Sequence, residues 1–481
     1  MIKRLVRGMA VASGAALATA CALGPNYHRP DAVTAVAPDY KEASDWKPSE
    51  PNDVLSRGPW WKIFNDDALD DLEAQIDISN QNVKAAEAAF EQSRALVSQA
   101  RAGFWPTFDA NLGAQRGGSP IIVTSPGGQT TTATRTQTSY SAGVSASWDI
   151  DIWGKIRRTA ESDLASAESS NAALAAARLS AQAELATDYF ELRAQDQLQK
   201  LLDDTVVAET QSLKITQSRY NFGVAARADV VTAETQLLSS QAQQVNAKIQ
   251  RAILEHAVAV LVGKQPAEFS LTVAPMRSDV PTVPAGLPST LLERRPDVAE
   301  AERKMAAANA QIGVAITGYF PDLTLTGSDQ YSTVSFSNLI RNSNRVWAVG
   351  PSLAQTLFNG GLVRAQVRSA RAAYEGTVDA YRQTVLASFQ QVEDQIVSLR
   401  VLEQEGVIED ETVKKAREAE TLTLNQYKAG TVPYSSVITA QTTRLSAEET
   451  ALSVLSSRLQ ASVALIEALG GGWNASMEAV K

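Results

Sequence analysis

The chain of 481 residues holds one cysteine, Cys21, and two histidines, His28 and His256. A single thiol cannot close an internal disulfide or build a cysteine-rich zinc site. No glycine-rich nucleotide pattern, zinc-protease helix motif or nucleophile elbow occurs, so neither an enzyme nor a cofactor or metal is expected. Positive charge is scarce as well. Lys and Arg total 44 against 53 Asp and Glu, a net charge of −9, which excludes the basic footprint of a nucleic-acid partner. The apolar and small run from Met9 to Ala20 is too short for a spanning helix of ~20 residues. Proline is missing from Pro126 to Pro266 and again from Pro351 to Pro433. Nothing in those intervals forces a helix to stop. The rest is 44% hydrophobic and 20% charged, which is a folded protein's composition rather than a disordered one.

What is present is a repeat. Thr216–Ser239 reappears 207 positions later as Thr423–Ser446, with Tyr220/Tyr427, Gly223/Gly430, Val230/Val437 and Thr235/Thr442 among the identities. Each copy reads as a helical hairpin whose glycine, Gly223 or Gly430, takes the positive φ of a helix C-cap. Gly143/Gly350, Gly154/Gly361 and Gly263/Gly470 keep the same offset. Upstream, Asn82–Pro106 aligns with Asp297–Pro321 at an offset of 215, so the second copy has lost eight residues in between. Self-similarity at a fixed spacing means one architecture built twice.

The chain opens with Lys3, Arg4 and Arg7, then apolar and small residues from Met9 to Ala20. This is the order of a secretory signal, residues 1–20. Its removal takes away three positive charges and leaves −12. Cys21 follows directly and reads as a lipidation site, since a diacylated cysteine anchors a chain stably to a membrane. Leu17 lies four residues before it, one more than is usual. Residues 21–64 form a proline-rich strap that ends in Trp60-Trp61-Lys62-Ile63-Phe64, expected to pack on the helix that opens near Ala68. That helix is expected to run to about Gly103. The repeats are placed at 65–263 and 290–470, with a linker at 264–289 and a tail at 471–481.

Between the helices the period changes to two. Phe108, Ala110, Leu112 and Ala114 alternate with polar residues, as do Tyr140, Ala142, Val144, Ala146, Trp148 and Ile150. This is the pattern of a strand with one apolar face. Arg116–Gln137 reads as an exposed loop. The second copy places strands at Asp322–Tyr331 and Val346–Phe358. Tilted strands of this length cross a bilayer, and Tyr140, Trp148 and Trp347 suit its interfaces. Four strands cannot close a barrel, so the barrel must be shared between chains. Lys155–Asn221 then reads as one helix of ~100 Å. His256 aligns with Val463 and reads as a packed helix residue. Asp149 and Asp151 are two apart, and a strand-to-helix junction explains them better than acid–base chemistry.

Several segments carry a family resemblance: Cys21–Pro30, Trp60–Asn65, Trp148–Gly154, Arg295-Pro296-Asp297, Tyr319-Phe320-Pro321 and Phe358–Gly361. In this order, on a duplicated frame, they resemble the outer-membrane factors of the TolC/OprM/NodT type. The resemblance implies a mainly α fold with a transmembrane β part. Its halves are duplicated helix–β-hairpin–long-helix units, forming a trimeric α-barrel and a shared twelve-strand β-barrel. It also implies a passive exit duct in the bacterial outer membrane. The partners would be outer-membrane lipid, a periplasmic adaptor and an inner-membrane transporter of the RND type. Two other readings are a type I protein-secretion duct and a lipid-anchored coiled-coil protein without a pore.

The tips are the candidate functional site. Gly223, Val224, Ala225, Ala226 and Arg227 in the first copy, and Gly430, Thr431, Val432 and Pro433 in the second, are expected to receive the adaptor. Related ducts close at this end, and some carry Leu and Asp four residues apart beyond the second tip. Here those places hold Ser435 and Thr439, which removes the acid. Arg227 and Asp229 of the first tip are then the expected polar gate contacts.

Overall fold

The computed structural model describes residues 22–31, 41, 59–124, 126–128, 130–283 and 294–471. The signal segment and Cys21 lie outside them. The first repeat holds α1 (Asp67–Ser79), α2 (Gln81–Ala102), β1 (Thr107–Thr124), β2 (Thr130–Asp149), α3 (Lys155–Asn221) and α4 (Arg227–Leu261). The second holds α5 (Pro296–Thr317), β3 (Asp322–Thr333), β4 (Arg345–Ala354), α6 (Leu362–Ala429) and α7 (Tyr434–Ala468). No helix among the described residues is long and apolar enough to cross a membrane. The chain forms two compact units. One contains Glu91–Glu168 and Glu302–Asp379 with the N-terminal segment to Pro30, and the other contains Asp31–Phe90, Ser169–Ala301 and Ala380–Lys481.

In the first unit the four strands form one antiparallel sheet in the order β1-β2-β3-β4. Thr107 faces Ser147, and their repeat counterparts Asp322 and Ala354 face each other. The register therefore puts Phe108, Leu112, Tyr140, Val144, Leu323, Val349 and Leu353 on one side, because side chains alternate. Phe108, Leu112 and Val349 are 78%, 77% and 73% exposed. The opposite side carries Asp109, Asn111, Ser145, Ser147, Thr324, Thr326 and Ser328.

The expected loop Arg116–Gln137 is mostly strand. β1 and β2 stay paired out to Thr124 and Thr130. The Thr-rich run fits a pleated ribbon, and Pro120 is tolerated because β1 is an edge strand that need not donate on its outer side. Tyr140 consequently lies mid-strand rather than at a strand end. It does mark the limit of the four-stranded part, facing Thr333 at the end of β3. β4 ends at Ala354, four residues before the expected Phe358. Both repeats tie strand to helix alike: Trp148 Nε1 donates to the Phe104 carbonyl at 3.0 Å, and the matching Gln355 Nε2 donates to the Tyr319 carbonyl at 3.4 Å.

The N-terminal segment docks on this unit. Leu23 N–H donates to the Trp153 carbonyl at 3.1 Å, and Arg158 donates to the Leu23 and Gly24 carbonyls and to Asn26. A Cβ on Gly313 would stand 2.8 Å from the Leu23 carbonyl, so only glycine admits the strap here.

In the second unit the core joins Leu69, Leu72, Ile76, Leu185, Phe190, Val258, Ile396, Leu459 and Leu465. Trp60 and Phe64 are buried in it beside Leu69 and Leu72 of α1, as expected, and they also meet α3: the Phe64 and Phe190 rings are 4.8 Å apart, and Trp60 Nε1 donates to Gln182 at 3.3 Å. The expected continuous helix to Gly103 breaks at Asn80. Asn80 N–H closes α1 on Ile76, and its side-chain oxygen accepts from the Asn82 and Val83 amides that open α2. Asn80 Nδ2 also donates to the Leu261 carbonyl, and its repeat counterpart Arg295 donates to the matching Ala468 carbonyl. Pro296, at the first position of α5, is the sequence signal of that break. His256 is exposed on α4 rather than packed. Its face also carries Val231, Leu238, Val245, Ile249, Ile253 and Val260, all exposed. Spacings of seven and four put them on one stripe. Leu386, Val401, Ile408 and Leu422 form a second exposed stripe on α6.

Candidate functional site

Both tips end their helices in the same way. Gly223 has φ 76° and Gly430 has φ 81°. Gly223 N–H donates to the Tyr220 carbonyl and Val224 N–H to that of Arg219; Gly430 donates to Tyr427 and Thr431 to Gln426. These paired bonds satisfy carbonyls that the helix end leaves open, and the positive φ requires glycine. Thr431 Oγ1 adds a bond to the Gln426 carbonyl at 3.0 Å, and Pro433 precedes the first turn of α7.

The structure brings the two tips together. Ala233, Tyr427, Tyr434 and Val437 form a buried cluster, with Val432, Leu213 and Ile438 packed on it. The Tyr427 and Tyr434 rings are 5.2 Å apart. Burial, with Glu209 and Tyr427 nearby, pushes the Tyr434 phenol up to about 12. Arg219 links the tips from above this cluster. Its guanidinium lies 4.8 Å over the Tyr427 ring, and Nη1 donates to the Lys428 carbonyl at 2.9 Å. Tyr427 also reaches Thr216, and Gln441 reaches Ser212. Tyr220/Tyr427 and Thr216/Thr423 were visible as repeated residues, but the Arg219 link was missed. Its counterpart is Gln426, so no repeat flags it.

Val224, Ala226, Arg227, Thr431 and Pro433 are exposed, and Ala225 is half-buried. Asp229 is half-buried: its carboxylate accepts from Ala226 N–H at 3.2 Å, while its own N–H donates to the Ala226 carbonyl. It therefore caps α4 and makes no ion pair with Arg227 within the chain. Ser435 and Thr439 are exposed one turn apart, and Thr439 Oγ1 donates to the Ser435 carbonyl at 3.0 Å. Asp151 opens α3, accepting from the Ile156 and Arg157 amides, and Asp149 accepts from Thr324.

The family model described as outer membrane efflux protein matches residues 74–264 and 287–471. The chain belongs to this family. Among known relatives, this efflux protein is 31% identical to the pyoverdine export outer membrane protein OpmQ of Pseudomonas aeruginosa, over 87% of this chain and 88% of the relative. It is 28% identical to the probable efflux pump outer membrane protein TtgC of Pseudomonas putida, over 94% and 93%. The solved outer-membrane channel OprN superposes with a TM-score of 0.84 at 28% identity, over 94% of this chain and all of that one. The mainly α fold with its β part, the duplicated halves and the outer-membrane location stand on these matches. The family is one of outer membrane efflux proteins.

Proposed function

We propose that three copies of this chain assemble into a passive outer-membrane exit duct of a tripartite efflux pump, conducting small molecules outward. The observation that carries the reading is the sheet's exposed apolar face, backed by a polar face on the same strands. Such a sheet fits a barrel wall between lipid and an aqueous lumen. A pore-free coiled-coil protein has no use for it. The sheet has two different free edges, β1 and β4, and α4 and α6 each present an apolar stripe. Unlike edges that meet head to tail generate a ring. Four strands per copy and a barrel minimum of about eight require more than one copy, and the family resemblance implies three, with twelve strands in all.

Each tip is separated from its hairpin by one uninterrupted helix, of 67 residues in α3 and 68 in α6. This length of helix supports a reading in which the tips form the periplasmic mouth. There Gly223–Arg227 and Gly430–Pro433 offer exposed backbone to a periplasmic adaptor, which connects the duct to an inner-membrane transporter of the RND type. Arg227, Asp229, Ser435 and Thr439 are the gate candidates. Lipidation at Cys21 fits the docking, two and three residues further on, of Leu23 and Gly24 at the strand-to-helix junction. The deciding experiment is conductance of the purified protein in a planar bilayer. Discrete channel events are expected, and a protein that inserts without conducting overturns the duct.

A further inference from the structure

The repeat sets two arginines in equivalent places. Arg251 of α4 and Arg458 of α7 share the offset of 207. Three groups satisfy Arg251: Nε donates to Asp196 at 2.7 Å, Nη1 to Glu255 at 3.1 Å and Nη2 to the Leu271 carbonyl at 2.8 Å. Leu271 N–H in turn donates to Glu255, which ties the segment after α4 over this arginine. Arg458 has no such set. Ser462 stands in the place of Glu255, and Glu403, in the place of Asp196, is exposed and makes no ion pair with it. Among the described residues, the half-buried Arg458 guanidinium has neither a hydrogen-bond nor an ion-pair partner. Arg193, Arg295, Arg303 and Arg444 are also buried or half-buried, and each holds a carboxylate. Withdrawing a cation from water without a counter-charge is costly, so Arg458 calls for an anion.

Beside Arg458 lies a cavity of about 740 Å³ between α3, the linker, α6 and α7. A glycine opens it. Gly406, inside α6, replaces Gln199 of the first repeat, and a Cβ on it would stand 3.4 Å from Arg458 Nη1. Glycine weakens a helix interior, so its presence here fits a need for room. Leu201, Met276, Val413 and Leu455 supply apolar wall. The other charges of the wall are paired or in water: Arg417 holds Glu448 at 2.6 Å, Lys414 holds Glu411 at 3.2 Å, and Asp410 is exposed one turn from Gly406. Apolar walls around a few convergent polar groups, at this volume, make a small-molecule site. We propose that this cavity binds an amphiphilic anion, a carboxylate on an apolar body, with the carboxylate on Arg458. The planar guanidinium fork matches the two carboxylate oxygens. The ligand thereby gives Arg458 the charge that Glu255 gives Arg251, and its apolar body covers the wall. The site lies within one copy and stands whether or not the chain forms a duct.

Full-length protein in lipid nanodiscs is titrated by calorimetry with naphthoate and with its neutral isostere naphthamide, empty nanodiscs giving the blank. Saturable binding of one naphthoate per chain is expected, at least ~tenfold tighter than naphthamide, which is the size of one charge-assisted hydrogen bond. Arg458→Gln is expected to bring naphthoate down to the level of naphthamide. Gly406→Gln, which restores the residue of the first repeat, is expected to close the cavity to both. Equal binding of the two probes, or naphthoate binding untouched by Arg458→Gln, overturns the site. Where Arg458→Gln does not fold, Gly406→Gln decides alone, and naphthoate binding as in wild type overturns the site. Binding that appears only in a chain ending at Gly471 makes the residues beyond it the occupant and overturns the external ligand. Channel events in a planar bilayer bear on the duct and leave this outcome unchanged.

Discussion

Glu73 on α1 is fully buried, and neither carboxylate oxygen has a hydrogen-bond partner among the described residues. Burial, with Asp77 and Asp70 adding like charge, pushes its carboxyl from near 4.5 up to about 9. Burial costs the charged form most, so the folded protein holds Glu73 protonated at neutral pH. The sign follows from proton uptake on folding. Stability from this group is full below pH 4.5 and is lost as pH rises toward 9, by about 1.4 kcal/mol per unit. Glu73→Gln removes the titration. Thermal unfolding in detergent is therefore expected to show wild type losing more stability than Glu73→Gln between pH 5 and pH 8. Parallel losses would show that the carboxylate is satisfied. A second residue, Cys21, is tested by labelling with a radioactive fatty acid. Wild type is expected to incorporate label and Cys21→Ser to lose it, while the barrel keeps the variant in the membrane. Equal labelling defeats lipidation.

Among the elements, the strands separate what the sequence displayed from what it hid. Alternation from Phe108 to Ala114 and from Tyr140 to Ile150 was plain, and pairing put Phe108, Leu112, Tyr140 and Val144 on one face with Leu323, Val349 and Leu353. The ribbon beyond Tyr140 was hidden because Gly117, Gly118, Pro120 and a run of threonines carry turn signals. Cross-strand pairing overrides such signals at an edge. The break at Asn80 was hidden too, since Ser79-Asn80 interrupts no apolar period; only Pro296 in the other repeat marks it. The face assignment makes a prediction at this scale. Val144→Arg puts a charge on the apolar side, at a cost of about 2–4 kcal/mol near the bilayer midplane. Trimer yield and heat resistance on unboiled gels are expected to drop. Ser145→Arg, on the polar side, is expected to assemble normally and to change conductance instead. The opposite ranking would reverse the two faces.

For the whole molecule, the repeat was the informative signal. It announced two tips, two hairpins and two long helices before any element was placed. It could not announce the cross-tip contacts, because Arg219 pairs across repeats with Lys428 and Tyr427 and has no basic counterpart at Gln426. The tips also lack an acid at Thr439, so the acid at the proposed mouth is Asp229, which the proposed ring repeats in each copy. Its carboxylate holds the start of α4 through Ala226 N–H, and a capping carboxylate is worth ~1 kcal/mol of helix stability. Asp229→Ala thus loosens the first tip and removes a ring of negative charge at once. One substitution acts at every symmetry-related position, and a narrow mouth concentrates its field. Thr439→Ala removes only a bond to the Ser435 carbonyl of its own helix. The expected outcome is higher single-channel conductance, and greater cell permeability to large antibiotics, for Asp229→Ala, with Thr439→Ala close to wild type. The Asp229→Ala difference should shrink at high salt, where screening weakens the charge ring. Arg219→Ala, which unties the tips without touching the ring of acids, should raise conductance at low and high salt alike. Opening by Thr439→Ala with Asp229→Ala unchanged would move the gate to the second tip.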